Sequence, residues 1–194
     1  MSVPAIILAA GASRRLGRPK QLVNFEGETL LARALRLARE AGAAPILAVL
    51  GANFAAICAS VDFECAIPVL NDQWESGLAS SIHAGLNEAE TRSSEPAGAL
   101  VMTCDQPRLT AQHLAMLLAA FRQHNGKSIV ASLYAGAHGI PAVFPREVFA
   151  ALRSLQGDKG ARGLFTQAPC AVVSVPFEGG GVDIDRPSDL ARLS

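Results

Sequence analysis

"ILAAGASRRLGRPKQL", residues 7–22, starts as an apolar run, passes through two alanines and Gly11, and then sets four cations between Arg14 and Lys20. The apolar part, reaching back over 3–8, is too short for a helix of its own. Uninterrupted apolarity at that length suits a strand covered on both faces, as in a parallel sheet. Comparable runs recur at 45–50, 65–70, 99–103, 128–133 and 171–175. Between them lie stretches of helical period at 29–41, 80–92 and 111–124, followed by a less regular helical stretch at 146–155. Pro187 is placed to open a short closing helix. The βαβα alternation predicts an α/β protein built on a doubly wound, mostly parallel sheet, with 1–194 as a single domain.

In such a sheet, ligands bind beyond the carboxyl ends of the strands. The opening loop follows the first strand and so lies at that edge. Ala9, Ala10 and Gly11 lack bulk and let main-chain amides approach a ligand, while Arg14, Arg15, Arg18 and Lys20 supply charge for a phosphate. The spacing matches neither the dinucleotide fingerprint nor the Walker loop. Taken alone, the segment reads either as a phosphate cradle or as a tight turn followed by a solvated basic stretch.

Composition narrows the choice. Seventeen basic residues balance seventeen acidic ones, so the chain lacks the basic footprint of a nucleic-acid binder. Cys58, Cys65, Cys104 and Cys170 are scattered, without zinc-site spacing, and read as buried thiols of a reducing compartment. No apolar run has the length of a membrane span, and no basic segment precedes the first apolar stretch; the expected location is the cytoplasm, with no membrane partner.

A second informative stretch is "ALVMTCDQPRL", residues 99–109, where a strand ends at Asp105 before Pro107. A carboxylate at that edge suits Mg²⁺ shared with phosphate oxygens, or equally a turn cap. Near the end, "GVDIDRP" sets Asp183 and Asp185 two residues apart, either as further carboxylates for metal-assisted transfer or as a helix cap and a solvated side chain. Ser80 and Ser81 fall where a helix would begin, able to meet a base or phosphate or to cap the helix.

Together "LAAGASRRLGRPK", "NDQWESGLASSIHAGL", "CDQPRLT", "HGIPAVFPREVFAAL", "GDKGAR" and "DIDRPSDL" resemble the MobA-like nucleotidyltransferases, with the molybdenum cofactor cytidylyltransferase branch the nearest match. The resemblance runs in order from residue 8 to 190. It implies a Rossmann-like, three-layer α/β/α nucleotidyltransferase fold, a need for Mg²⁺ with Mn²⁺ as a substitute, and CTP and Mo-molybdopterin as substrates. It also implies a molybdenum hydroxylase, or its chaperone, as a transient docking partner. Leu8, Ala9, Ala10 and Gly11 would line base and ribose; Ser13, Arg15, Gly17 and Lys20 would handle the triphosphate. Lys20, Arg15 and Asp105 would be the catalytic groups. Asp105 and Asp185 would hold the metal, with Asp183 as their neighbour. His138, Gly139, Pro141, Asp158 and Arg162 would form the acceptor side, with Lys159 beside them, "HGIPAVF" being a shaped loop. Where this chain reads LAAG, the guanylyltransferase branch reads LAGG, so the Ala10 methyl favours the smaller pyrimidine. A related transferase for GTP or for a sugar or alcohol phosphate, and a non-catalytic cofactor carrier, are the competing expectations.

Overall fold

The structure is a computed structural model that describes residues 2–93, 95–158 and 160–190, apart from the side chains of Arg162 and Leu190. The chain runs β1 (Ala5–Ala9), β2 (Asn24–Phe25), β3 (Glu28–Thr29), α1 (Leu30–Glu40), β4 (Ile46–Leu50), α2 (Phe54–Ser60), β5 (Ile67–Leu70), α3 (Leu78–Arg92) and β6 (Gly98–Thr103). It continues with α4 (Ala111–Gln123), β7 (Ile129–Tyr134), β8 (Ala137–Pro145), α5 (Phe149–Arg153), β9 (Val172–Pro176) and α6 (Pro187–Leu190). Short 3-10 turns cover Lys20–Leu22, Trp74–Ser76, Arg146–Val148 and Ala161–Phe165.

Seven strands form one sheet in the order β5-β4-β1-β6-β8-β7-β9; β8 alone runs against its neighbours. β1 is fully buried along its length, as its continuous apolarity requires. One face of the sheet packs Ile7, Ala48 and Leu100 against α1 and α4 through Leu31, Leu35, Leu114 and Leu118. The other packs Ile6, Val49 and Val101 against α3 and α5 through Ile82, Leu86 and Leu152. Helices thus cover both faces, and each fully buried large side chain contributes about 1.5–3 kcal/mol. Helix starts follow the side chains: Thr29 and Thr110 each accept a main-chain N–H three residues on. Gly85 lets α3 lie against β1, since a Cβ there would stand 2.3 Å from Ile6 Cγ2.

Two local expectations are corrected, and one helix was not anticipated. The segment expected as a shaped loop, which contains His138, Gly139 and Pro141, belongs to the nine-residue strand β8. A two-residue turn, Ala135 and Gly136, both with positive φ, folds it back on β7. Pro141 is tolerated because the pairing with β7 breaks there: Ala131 faces Ala142 while Ser132 faces Gly139, so residues 140 and 141 are left out of the ladder. The helix expected over 146–155 is a 3-10 turn followed by the single-turn α5, and the helix α2 carried no periodic signal long enough to predict it.

Candidate functional site

β1 lies between β4 and β6, so the opening loop emerges beside the end of β6; Leu8 pairs with Thr103 and Ala9 with Leu50. The strand order turns outward on either side of β1, which places a crevice at this edge. Two lobes occupy it. The first, about 400 Å³, is lined by Leu8, Ala9, Ala10 and Gly11, by Lys20, and by Trp74, Leu78 and Ser81 across from them. The second, about 420 Å³, is mostly apolar, with Ile82, Tyr134, Ile140 and Phe165 as walls and Gly139 and Asp183 at its margin. Thr103, Asp105 and Asp158 border both lobes.

The opening loop is shaped from within. Ser13 adopts φ 53° and Gly17 φ 75°, and the Ser13 carbonyl accepts from the N–H groups of Leu16 and Gly17. The Ser13 hydroxyl accepts the N–H of Lys20 at 3.1 Å. Leu16 meanwhile buries itself against Val23, Leu30 and Ile184. These contacts swing Lys20 back over the end of β6.

There, Lys20 Nζ donates to Asp105 Oδ2 and to Asp185 Oδ1, both at 2.7 Å, and Arg15 Nη2 donates to Asp185 Oδ2 at 2.7 Å. The Lys20 and Asp105 side chains are 18% and 17% exposed, so these are sheltered charges at the meeting of the two lobes. Burial pulls the Lys20 pKa down, but the two carboxylates outweigh it and hold the ammonium above its ordinary range. The hydrogen bond from Lys20 holds Asp185 below the usual carboxylate range. Burial pushes the neighbouring Cys104 thiol up to about 12, leaving it unreactive.

Asp185 and Asp183 line one cavity with Arg15 but differ beyond it: Asp185 bonds Lys20 and Arg15, whereas Asp183 also reaches the second lobe. Ser80 and Ser81 stand inside the first turn of α3, and Asn71 Nδ2 donates to both hydroxyls, at 2.9 and 3.0 Å; Ser81 also lines the first lobe. Gly139 and Asp158 reach the second lobe. His138 instead bonds Ser174 on β9 at 2.8 Å, and Pro141 turns its carbonyl to the Ser132 hydroxyl at 2.6 Å. Lys159 and the Arg162 side chain lie outside the described residues.

Two glutamines escaped the sequence reading. Gln21, 1% exposed, donates from Nε2 to the carbonyls of Ala9 and Gly11, and Ala10 accepts from Ala52 N–H. With those carbonyls occupied inside the protein, the loop is held from behind while its open side faces the first lobe. Gln106 ties β8 to the 179–185 segment through the carbonyls of Ile140 and Gly180. Gln21 follows Lys20 and Gln106 follows Asp105, a placement with no distinctive spacing.

Asp105 and Asp185 converge on one point and offer hard oxygens, a donor set that fits Mg²⁺ or Mn²⁺. Among the described residues no group of three His, Cys, Asp or Glu is placed to bind a metal, so the rest of the shell would fall to substrate oxygens and water. Among the described residues, too, no helix is long and apolar enough to cross a membrane.

Comparison with known proteins agrees with this architecture. Residues 5–172 match the MobA-like NTP transferase domain. The chain is 34% identical to a nicotine blue oxidoreductase of Paenarthrobacter nicotinovorans, covering 98% of this chain and 96% of that one. It is also 34% identical to a molybdenum cofactor guanylyltransferase of Rhodobacter capsulatus, covering 99% and 95%. The crystal structure of Rv0371c from Mycobacterium tuberculosis superposes with a TM-score of 0.86 at 29% identity, covering 100% and 97%, and that protein has also been solved in complex with manganese. The sheet, the crevice at the end of β1 and the match across 5–172 lead to one assignment: the chain belongs to the MobA-like NTP transferase family.

Proposed function

We propose that this nucleotidyltransferase moves CMP from CTP to the terminal phosphate of Mo-molybdopterin, releasing pyrophosphate and forming molybdopterin cytosine dinucleotide. The observation that carries the reading is the Lys20 ammonium held 2.7 Å from both Asp105 and Asp185 where two lobes meet. Two anions must be brought together for this reaction, and a cation shared between two carboxylates at the junction suits that task.

The lobe beside Ala10 would take the nucleotide, and the apolar lobe beside Tyr134 and Phe165 the flat acceptor. An acceptor phosphate oxygen attacks the α-phosphorus in line; the bond from that phosphorus to the bridging oxygen breaks, and its electron pair leaves with pyrophosphate. Lys20 and Arg15 balance charge on the departing oxygens. Asp105 and Asp185 would hold Mg²⁺, which supplies neutralisation of the triphosphate. Asp183, Asp158 and Gly139 border the acceptor. A molybdenum hydroxylase, or a chaperone serving it, would consume the product.

GTP is the competing substrate, because a guanylyltransferase is among the relatives. Ala10 favours CTP here: the residue lines the lobe that would receive the base, and an added methyl would leave less room for a purine. The test is a panel of the four nucleoside triphosphates with Mo-molybdopterin and Mg²⁺, scored for dinucleotide and pyrophosphate. Product with CTP at the highest kcat/KM is expected. GTP preference would reverse the base assignment, turnover only with a sugar or alcohol phosphate would move the acceptor, and no turnover with any pair would favour a carrier or the redox activity named for the Paenarthrobacter relative.

A further inference from the structure

Gln106 follows Asp105 in the chain and is 6% exposed. Its Nε2 donates to the carbonyls of Ile140 on β8 and of Gly180 in the segment leading to Asp185, each at 3.2 Å. Two carbonyls at one end of the amide set its orientation, since the flipped amide would put oxygen against oxygen. Oε1 is therefore an acceptor, and it is buried with no partner among the described residues. Arg33 on α1 is held just as firmly: Nη1 donates to the Leu109 carbonyl at 3.0 Å, and the guanidinium lies 5.7 Å from the centre of the Phe25 ring. Arg33 Nε is a donor, buried and likewise without a partner among the described residues. Both side chains line the same void of about 10 Å³, with Leu30, Leu37, Thr103 and Cys104.

We propose that one buried water fills this void, accepting from Arg33 Nε–H and donating to Gln106 Oε1, and that Gln106 is thereby the positioning residue for Asp105. A space of about this volume admits a single water, and a polar lining is what distinguishes a wet void from a dry one. The water satisfies a donor and an acceptor that would otherwise lose their solvation uncompensated. One amide then joins β8, the 179–185 segment and, through the water, α1. The main chain adds a parallel tie, Ile184 N–H to the Asp105 carbonyl at 2.9 Å. The two carboxylates around Lys20 are held in register by a side chain that touches neither. This rests on the reading of Asp105 and Asp185 as the metal-holding pair.

Two measurements on the full chain test it. High-resolution crystal structures of the wild type and of Arg33→Met should show one ordered water within hydrogen-bond reach of Arg33 Nε and Gln106 Oε1 in the first and none in the second. A dry wild-type void, or a water bonded to neither atom, overturns the water site. Mn²⁺ binding without nucleotide, followed by electron paramagnetic resonance, should weaken by about 10–100-fold in Gln106→Met, the usual effect of losing a residue that orients a ligand. Arg33→Lys, which keeps the charge and drops Nε, should shift it in the same direction by less. Wild-type Mn²⁺ affinity in a folded Gln106→Met, or in Arg33→Lys should Gln106→Met fail to fold, overturns the positioning role. Asp105→Asn is measured alongside: unchanged Mn²⁺ affinity there would refute the site reading and the positioning role with it, while leaving the crystallographic result on the water to stand.

Discussion

Replacing Lys20 by methionine keeps most of the apolar stem and removes the ammonium that Asp105 and Asp185 share. Each carboxylate oxygen lies 2.7 Å from Nζ, so in the variant the two oxygens face one another across no more than about 5.4 Å. Like charges at that distance repel by about 3 kcal/mol at an effective dielectric constant of about 20, and by about 0.8 kcal/mol in water. Asp185 is 34% exposed, and solvent screening moves the value towards the lower figure. With the loss of two charge-assisted hydrogen bonds, the stability deficit at neutral pH is about 2–4 kcal/mol. The sign with pH follows from Asp185: its pKa is depressed in the wild type, so its contribution is present above the unfolded carboxylate value and fades as pH falls through the folded one. Wild type and variant should therefore converge as pH drops below about 4. Mg²⁺ should stabilise the variant more than the wild type, because no ammonium then competes for the carboxylates. Nucleotidyl transfer should fall by about 10²–10³-fold. Urea denaturation of both proteins over that pH range, with and without Mg²⁺, measures the effect. Equal stability at neutral pH, or a gap that does not narrow on acidification, would refute the balance of charge inferred here.

Ala10→Gly should shift the ratio of kcat/KM for CTP over GTP towards GTP by about tenfold, the worth of one methyl in a fitted pocket, and an unchanged ratio would remove Ala10 from base selection. His113 is 6% exposed, bonds Ser132 at 2.8 Å and has its pKa pulled down to about 4 by burial, against 6.5 ordinarily. Its neutral form is the folded one, so stability should be full above about 6.5 and decline by about 3 kcal/mol as pH falls towards 4. A His113→Gln variant should lose that slope; the same slope in both proteins counts against the assignment. Gly85→Ala should destabilise by about 1–3 kcal/mol despite the better helix former, since its Cβ would meet Ile6 at 2.3 Å; a rise in the denaturation midpoint would show that the contact yields freely.

The strands that bear the site were legible because their signal is local. A run such as 99–103 is apolar throughout, and burial on both faces of a central strand demands that; β6 is buried from Gly98 to Met102. β8 was hidden because Gly139 and Pro141 are breakers in most strands; Gly139 still pairs with Ser132, and only the break in pairing beside it makes room for Pro141. Ala9, Ala10, Gly11, Lys20 and Asp105 were readable as residues at one sheet edge, just past the strands that lead to it. His138 was not placed correctly, because the strand that carries it turns its ring to Ser174 rather than to the cleft. Gln21 and Gln106 were overlooked since a glutamine after a charged or acidic residue has no distinctive spacing; their importance lies in which carbonyls they reach.

Residue order was enough to establish an alternating α/β chain, a small-residue loop with cations after its first strand, and carboxylates at 105 and 183–185. Those features depend on side-chain volume, periodicity and turn chemistry over a few neighbouring residues. Which carboxylate meets Lys20 was a matter of folding alone. Asp105 is 85 positions away and Asp185 is 165, and only the passage of β6 beside β1, with the last segment laid across its end, brings them within 2.7 Å. Asp183, two residues from Asp185, is carried to the second lobe by the same segment. Partner choice among like residues is settled by packing of distant elements, where a displacement of a few ångströms decides which partner a charge meets.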